Sequence, residues 1–440
     1  MSLASRFGRP HAGPVPVLRT LSSLSVLCAL LLAGCGGGSD GGAPPAAETP
    51  PVAVNPDPAA PPPVVTEPPV APNPLLSAVA GDVLKVAIKD LHPTQPSVGY
   101  DQIYYHLGRK QPDLTRFAPT PAGYLGDDAN DNYSRYLYRT ERKRVDDYCA
   151  DNGQGGVDDA RYLPMTVRLI DPKTFACKDP VPTAGSSAAQ VLKTVVVGRG
   201  GTLYLTDGHH TMTALNELAD GGAELPVWVR VAANFSSAGS DSAFWDQMKA
   251  QQYTWLFDAQ QRPITPEQLP AKVGLVTMQD DPYRSLVYFT RGLGYDNSNV
   301  SEFAEFYWAS WLRKNGFDLA AYTRTDLARA RIEITAGKAV PRASDSMTSY
   351  VAAARDAALR MVALAGTDPV DGGRTAADLG KLAPPTAAGT WNDLMEEEIW
   401  RTDLNSSGRY RSAGKAWYAK RFRQCGGAAS TAPACWLQSE

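Results

Sequence analysis

The chain has 440 residues, with 43 Lys and Arg against 46 Asp and Glu, a net charge of −3 and 43% apolar residues. That length allows two or three domains, each large enough to bury a core. So balanced a charge excludes a histone-like or basic-tail mode of polyanion binding. Only five histidines and six cysteines are present, so wherever they cluster they are informative.

Residues 1–34 carry Arg6, Arg9 and Arg19, no acidic residue, and an apolar run from Leu21 to Ala33. A basic start, a short apolar stretch and small residues before a cleavage point describe a secretory signal peptide, too short for a comfortable membrane span. The Leu32-Ala33-Gly34-Cys35 ending resembles a bacterial lipobox, which implies lipidation at Cys35. Gly36 follows that cysteine, and by Gram-negative sorting rules this favours the outer membrane. Residues 36–74 hold 13 of the 35 prolines and no Lys, Arg or aromatic residue, so 35–75 reads as a Pro/Gly-rich disordered tether. Removing residues 1–34 takes away three arginines and no acid, moving the net charge from −3 to −6. Four cysteines then remain, Cys149, Cys177, Cys425 and Cys435. In an oxidising compartment they form two disulfides, and proximity favours Cys149–Cys177 and Cys425–Cys435 over the other pairings. No Cys/His spacing fits zinc.

The folded body is expected over three stretches, 76–240, 241–325 and 326–440. Val83 to Lys89 reads as a strand, followed by the turn-rich Asp90-Leu91-His92-Pro93. Residues 101–108 read as a helix with Asp101 as N-cap. From Asp113 to Asp159 the composition turns polar, with DDANDN, the run RTERKR and NGQGG, and reads as an irregular excursion with its charges solvated. Met165 to Ile170 is a second strand candidate. The clearest local signal is VLKTVVV at 191–197, a Gly-rich turn, and TLYLT at 202–206 as the return strand. A helix from about His210 to Leu218 and a strand from Leu225 to Val231 complete a compact α+β unit. Beyond residue 240 the chain reads as helical: a capping box at 299–302 before SEFAEFYWASWLRKN, then helices at 347–365, 391–401 and 409–423. The aromatics between 303 and 311 read as helix-packing core.

Chemistry concentrates at Asp207-Gly208-His209-His210, the junction between a strand and a helix. Unpaired amides at a helix start form an anion site, and Gly208 permits close approach of a ligand. Asp207 can orient an imidazole or act as a base. A histidine can move a proton near neutral pH, and Thr211 adds a hydroxyl. Phosphate or carboxylate is the natural guest. The Asp280-Asp281 pair reads as an N-cap in preference to a cation site.

YLTDGHHTMTAL (204–215) and LHPTQPSVGY (91–100) resemble the two defining boxes of the ParB-like nuclease family, part of the ParB/sulfiredoxin superfamily, and DDPYRSL at 280–286 resembles its later segment. The resemblance covers about residues 83–315. It implies an α+β fold, a small mixed sheet with helices, here followed by a mainly helical C-terminal extension. It also puts Asp207, Gly208, His209 and His210 in the anion-binding turn, with His92, Pro93, Thr94 and Gln95 in the loop across the cleft. His209 stands where sulfiredoxin has its nucleophilic cysteine, which argues against sulfinic-acid reduction. The arginines of the CTP-binding box of ParB partition proteins are missing.

The resulting expectation is a lipid-anchored envelope protein that hydrolyses a phosphodiester or phosphate ester. His209 and His210 act as general acid/base, Asp207 orients them, and Gly208, Thr211, His92, Thr94 and Gln95 hold the phosphate. The alternative is a lipoprotein that binds an anionic ligand without turnover. The partner is an anionic small molecule or nucleic acid, with the membrane reached through the lipid; no stable protein partner is inferred. The cofactor is left open: a divalent metal is compatible, and no nucleotide is expected in the envelope.

Overall fold

The structure, a computed structural model, describes residues 73–112, 117, 131–298, 300 and 303–424. Cys35, Cys425, Cys435, the leader, most of the tether and most of the 299–302 capping box lie outside them. In chain order the elements are β1 (Val83–Ala87), β2 (Leu91–Pro93), β3 (Ser97–Val98), α1 (Tyr100–Lys110), α2 (Asn132–Leu137), α3 (Lys143–Asp151), β4 (Lys193–Val197), β5 (Leu203–Leu205), α4 (His209–Glu217) and β6 (Pro226–Asn234). There follow α5 (Asp241–Ala250), β7 (Gln279–Asp280), α6 (Pro282–Phe289), α7 (Ala304–Lys314), the hairpin β8 (Ile332–Thr335) and β9 (Lys338–Pro341), α8 (Tyr350–Ala363), α9 (Ala388–Met395) and α10 (Lys415–Gln424). This is a mixed α+β fold with a helical C-terminal part.

A five-stranded sheet runs β1-β6-β4-β5-β2, with β1/β6 and β4/β5 antiparallel and β4/β6 and β2/β5 parallel. Central β4 explains why its sequence is a continuous Val run. Val195 and Val197 pack with α1 and α4 on one face, while Val196 packs with Phe244 and Met248 of α5 on the other. A second core gathers α6, α7, α8, α9 and α10, including Phe306, Tyr307, Trp308 and Trp311, the aromatics expected to be core. Helix α1 joins the two cores. Ile103 and Leu107 face the sheet side, and Tyr105 faces the helical side.

Three local expectations are corrected. Asp101 does not cap α1; Gly99 stands at that position. The buried Asp101 carboxylate instead accepts from Arg324 Nη2 at 2.7 Å, Tyr350 Oη at 3.0 Å and Arg423 Nε at 3.1 Å. Burial alone would raise this carboxyl, but Arg324 and Arg423 outweigh it and hold it below the usual range. Second, residues 132–151 form a helical run, α2 and α3 joined through a wider turn at Tyr138–Arg142, and are not an excursion. Its charges are paired and largely buried, not solvated. Arg142 Nε meets Asp159 Oδ1 at 2.7 Å and Arg144 Nη2 meets Asp220 Oδ2 at 3.2 Å. Third, Met165 to Ile170 is not a strand, because side chains take its donors. Met165 N donates to Glu141 Oε1, Arg168 N to Thr174 Oγ1 and Leu169 N to Asp220 Oδ2.

Cys149 and Cys177 form the expected disulfide, linking α3 to the segment beyond it. Closing a loop with a sequence separation of 28 constrains the unfolded chain by about 3–4 kcal/mol. Chemical denaturation with and without reductant should show a loss of that size. An unchanged midpoint would mean that the bridge contributes nothing to stability.

Candidate functional site

Helix α4 begins at Gly208, whose φ of +88° is a left-handed conformation that only glycine adopts without strain. A Cβ there would lie 2.4 Å from Lys193 Cγ. The turn aims the first amides of α4, those of His209, His210 and Thr211, away from any backbone acceptor, since Met212 N is the first to bond back, to Gly208 O at 2.8 Å. These residues line a cavity of about 500 Å³. Its other walls come from α1, α3, α6, the start of α7 and the 291–300 segment.

The two histidines are buried and face the 94–99 loop. His209 Nε2 accepts the Thr94 backbone N–H at 3.1 Å, and His210 Nε2 accepts the Gly99 N–H at 3.0 Å. With Nε2 as acceptor, Nδ1 carries the proton in each neutral ring. Gly99 is needed for close approach and not for its φ: a Cβ there would sit 2.7 Å from Ser285 N. Burial, then Arg284, holds His209 down to about 3. His210 is held well below the usual histidine range by burial and Arg284, against the pull of Glu305. His106, also on the cavity wall, is lowered by burial and then Lys110.

Cationic groups surround the turn, each tied to a carboxylate. Lys110 Nζ lies 2.8 Å from Asp147 Oδ2, and Lys193 Nζ lies 3.5 Å from Asp151 Oδ1. Arg284 Nη2 donates to Glu305 Oε2 at 3.1 Å, its guanidinium lies 3.5 Å from the Phe306 ring centroid, and its Nε has no partner. Arg291 also bonds Glu305. Burial would raise the Glu305 carboxyl, but Arg291 foremost, with Arg284, brings it to about 2. The Asp207 carboxylate lines the same cavity without a hydrogen-bond or ion-pair partner. Among the described residues no group of three His, Cys, Asp or Glu is arranged to hold a metal ion.

Asp207, Gly208, His209, His210, Thr211 and Gln95 therefore meet at one cavity. Gln95 donates to Ser97 O at 2.7 Å. Thr94 is buried behind the turn, its hydroxyl spent on Leu205 O at 2.7 Å. His92 sits elsewhere. Its ring lies 5.8 Å from Tyr204, beside a separate groove near Trp245, because its place in β2 sets it on the opposite face from its neighbours. Asp281 caps α6, accepting from Tyr283 N and Arg284 N at 3.0 and 3.2 Å. Sequence reasoning missed Gln102, His106, Lys110, Arg284, Arg291 and Glu305. The signal for the first three was their i, i+4, i+8 spacing on one helix. For Arg284 it was a charge opening the apolar run SLVYF.

Residues 84–314 match the profile of the family described as "Putative ParB-like nuclease". The chain belongs to this family. The structure of protein Atu1540 from Agrobacterium tumefaciens is similar to this ParB-like chain, at 22% identity over 53% of this chain and 79% of its own, with a TM-score of 0.30. None of the curated proteins matches it.

Two outcomes follow for the ParB-like turn. Replacing His209 or His210 with Ala leaves the buried N–H of Thr94 or Gly99 without its acceptor, so each variant should lose about 1–3 kcal/mol in a melting or denaturant experiment. Wild-type melting temperature in either variant would show that these bonds carry no weight. The second outcome concerns pH. His106, His209 and His210 have folded pKa values below the unfolded value of about 6.5, so below that pH the unfolded chain takes up protons that the native state does not. Their contribution is complete above the unfolded pKa and is lost as pH falls. Three such groups should remove about 4 kcal/mol between roughly pH 7.5 and 5.5. Denaturant curves at the two values test this, and equal stability would mean that the rings accept protons in the fold.

Proposed function

We propose that this protein binds a phosphate group at the Gly208–Thr211 turn and hydrolyses the phosphodiester or phosphate ester that carries it. One observation supports this above the rest: the free amides of α4 open into the same cavity as the Arg284 guanidinium and the unpartnered Asp207 carboxylate. Helix amides and a buried guanidinium stabilise charge developing on phosphoryl oxygens. Asp207, with no other partner, serves as the base that activates water. His209 and His210 enter as neutral rings that fix the turn and present Nδ1–H as a donor. Their Nε2 lone pairs are already taken by the Thr94 and Gly99 N–H groups, so the role of base falls to Asp207.

That engagement of both rings by backbone donors favours a second reading, an anion-binding protein without turnover. The two readings separate in one set of measurements: titration with inorganic phosphate, and turnover of p-nitrophenyl phosphate and its bis ester with and without divalent metal. Under the first, Asp207→Asn slows turnover by ~10²–10⁴-fold with an unchanged melting temperature. Phosphate binding without turnover in the parent favours the second, and no phosphate binding sinks both.

The proposal extends to the cell envelope, with Cys35 lipidated and the body exported to the outer membrane. The Cys149–Cys177 bridge supports an oxidising compartment. Among the described residues no helix is long and apolar enough to cross a membrane. Mass spectrometry of the mature N-terminus should find a diacylglyceryl cysteine at position 35, and an unmodified terminus elsewhere would exclude the anchor.

A further inference from the structure

Helix α1 carries a polar stripe that the proposed chemistry does not use. Gln102, His106 and Lys110 stand at i, i+4 and i+8 and all line the cavity that contains the α4 turn. Such residues share one helix face. Lys110 is paired with Asp147, but the other two are not satisfied. The Gln102 residue is 4% exposed, and its carboxamide makes no hydrogen bond; its Oε1 is fully enclosed. His106 Nδ1 is likewise enclosed and unpartnered. An unpaired buried polar group costs about 1–3 kcal/mol, and because Gln102 and His106 also line the cavity, a guest that bonds them recovers part of that cost.

The chemistry of that guest can be read from the wall. A carboxamide offers both donor and acceptor, and so does a neutral imidazole. Hydroxyl groups, which also donate and accept, match both. The phosphate end of the guest is fixed separately by the α4 amides and Arg284, whose unpartnered Nε belongs to a residue only 4% exposed. The lysines and arginines of the walls are matched by carboxylates, so they form no continuous positive track for a polyanion backbone. A volume of about 500 Å³ suits a small molecule.

We infer that the ligand is a small phosphate monoester with a hydroxylated body, of the sugar-phosphate or polyol-phosphate class, whose hydroxyls are read by Gln102 and His106. The inference rests on phosphate occupying the α4 turn. The full chain in detergent solution is titrated calorimetrically with inorganic phosphate, ribose 5-phosphate and a short single-stranded oligodeoxynucleotide lacking terminal phosphates. Ribose 5-phosphate should bind roughly tenfold tighter than inorganic phosphate, and the oligonucleotide no tighter than phosphate. Gln102→Leu and His106→Phe should each remove most of the sugar-phosphate advantage while leaving inorganic phosphate affinity within about twofold. The ranking of the three probes on the parent chain needs no variant, so the test survives poor folding of either substitution. A tighter oligonucleotide, or a sugar-phosphate advantage undiminished in well-folded variants, overturns the inference while phosphate binding stands. If inorganic phosphate does not bind at all, the phosphate reading itself fails and this one falls with it.

Discussion

Two hydrogen bonds from backbone to imidazole hold the centre of this molecule, Thr94 N–H to His209 and Gly99 N–H to His210. They join the segment that launches α1 to the residues that launch α4. Both helices therefore start from one fixed point, and the polar face of α1 is set against the free amides of α4. The bonds need neutral rings, which burial enforces, and they need Gly99, because the chain there passes within van der Waals contact of Ser285. Adjacent histidines in a turn are commonly read as proton carriers. Here their Nε2 lone pairs are committed to backbone donors of the 94–99 loop.

How much of this could be read in the sequence depends on whether the signal was local. The VLKTVVV strand, the Gly-rich turn, the return strand and the helix after Asp207-Gly208 were legible because period, turn residues and cap all agreed within a few positions. Helix 132–151 was hidden by its own charges. Arg142 and Arg144 read as solvent-facing until Asp159 and Asp220 arrive from elsewhere in the chain to pair with them. The hairpin β8–β9 was missed because its turn, Ala336-Gly337, places a non-glycine residue at positive φ, which propensity does not favour. At the site, the DGHH turn was visible as a motif, whereas Arg284, Arg291 and Glu305 become a unit only when α6 and α7 pack together. His92 was assigned to the cleft by resemblance, and the alternation of β2 sends it to the other side.

Buried charge is the recurring device of the second half of the chain. Glu305 serves two arginines, Asp281 both caps α6 and meets Arg313, and Asp345 takes Arg331 at 2.8 Å. Such pairs add little net stability over apolar packing, yet breaking one leaves a desolvated charge behind. They therefore fix which helix lies against which more than how firmly. In this ParB-like chain the same arginines that orient α6 and α7 also form a wall of the cavity, so one set of side chains sets both the helix packing and the polarity of that wall.

The Asp101 cluster has a consequence for how the protein is made. Its carboxylate sits at the start of α1, while its partners Arg324, Tyr350 and Arg423 are spread over the following three hundred or so residues, the last of them in α10. During synthesis the site of that carboxylate is complete only when α10 has emerged. Until then, docking α1 between its two cores would bury a negative charge without compensation. A chain cut short before α10 would lack Arg423, and the start of α1, which builds one wall of the cavity, would lose one of the three groups that hold Asp101.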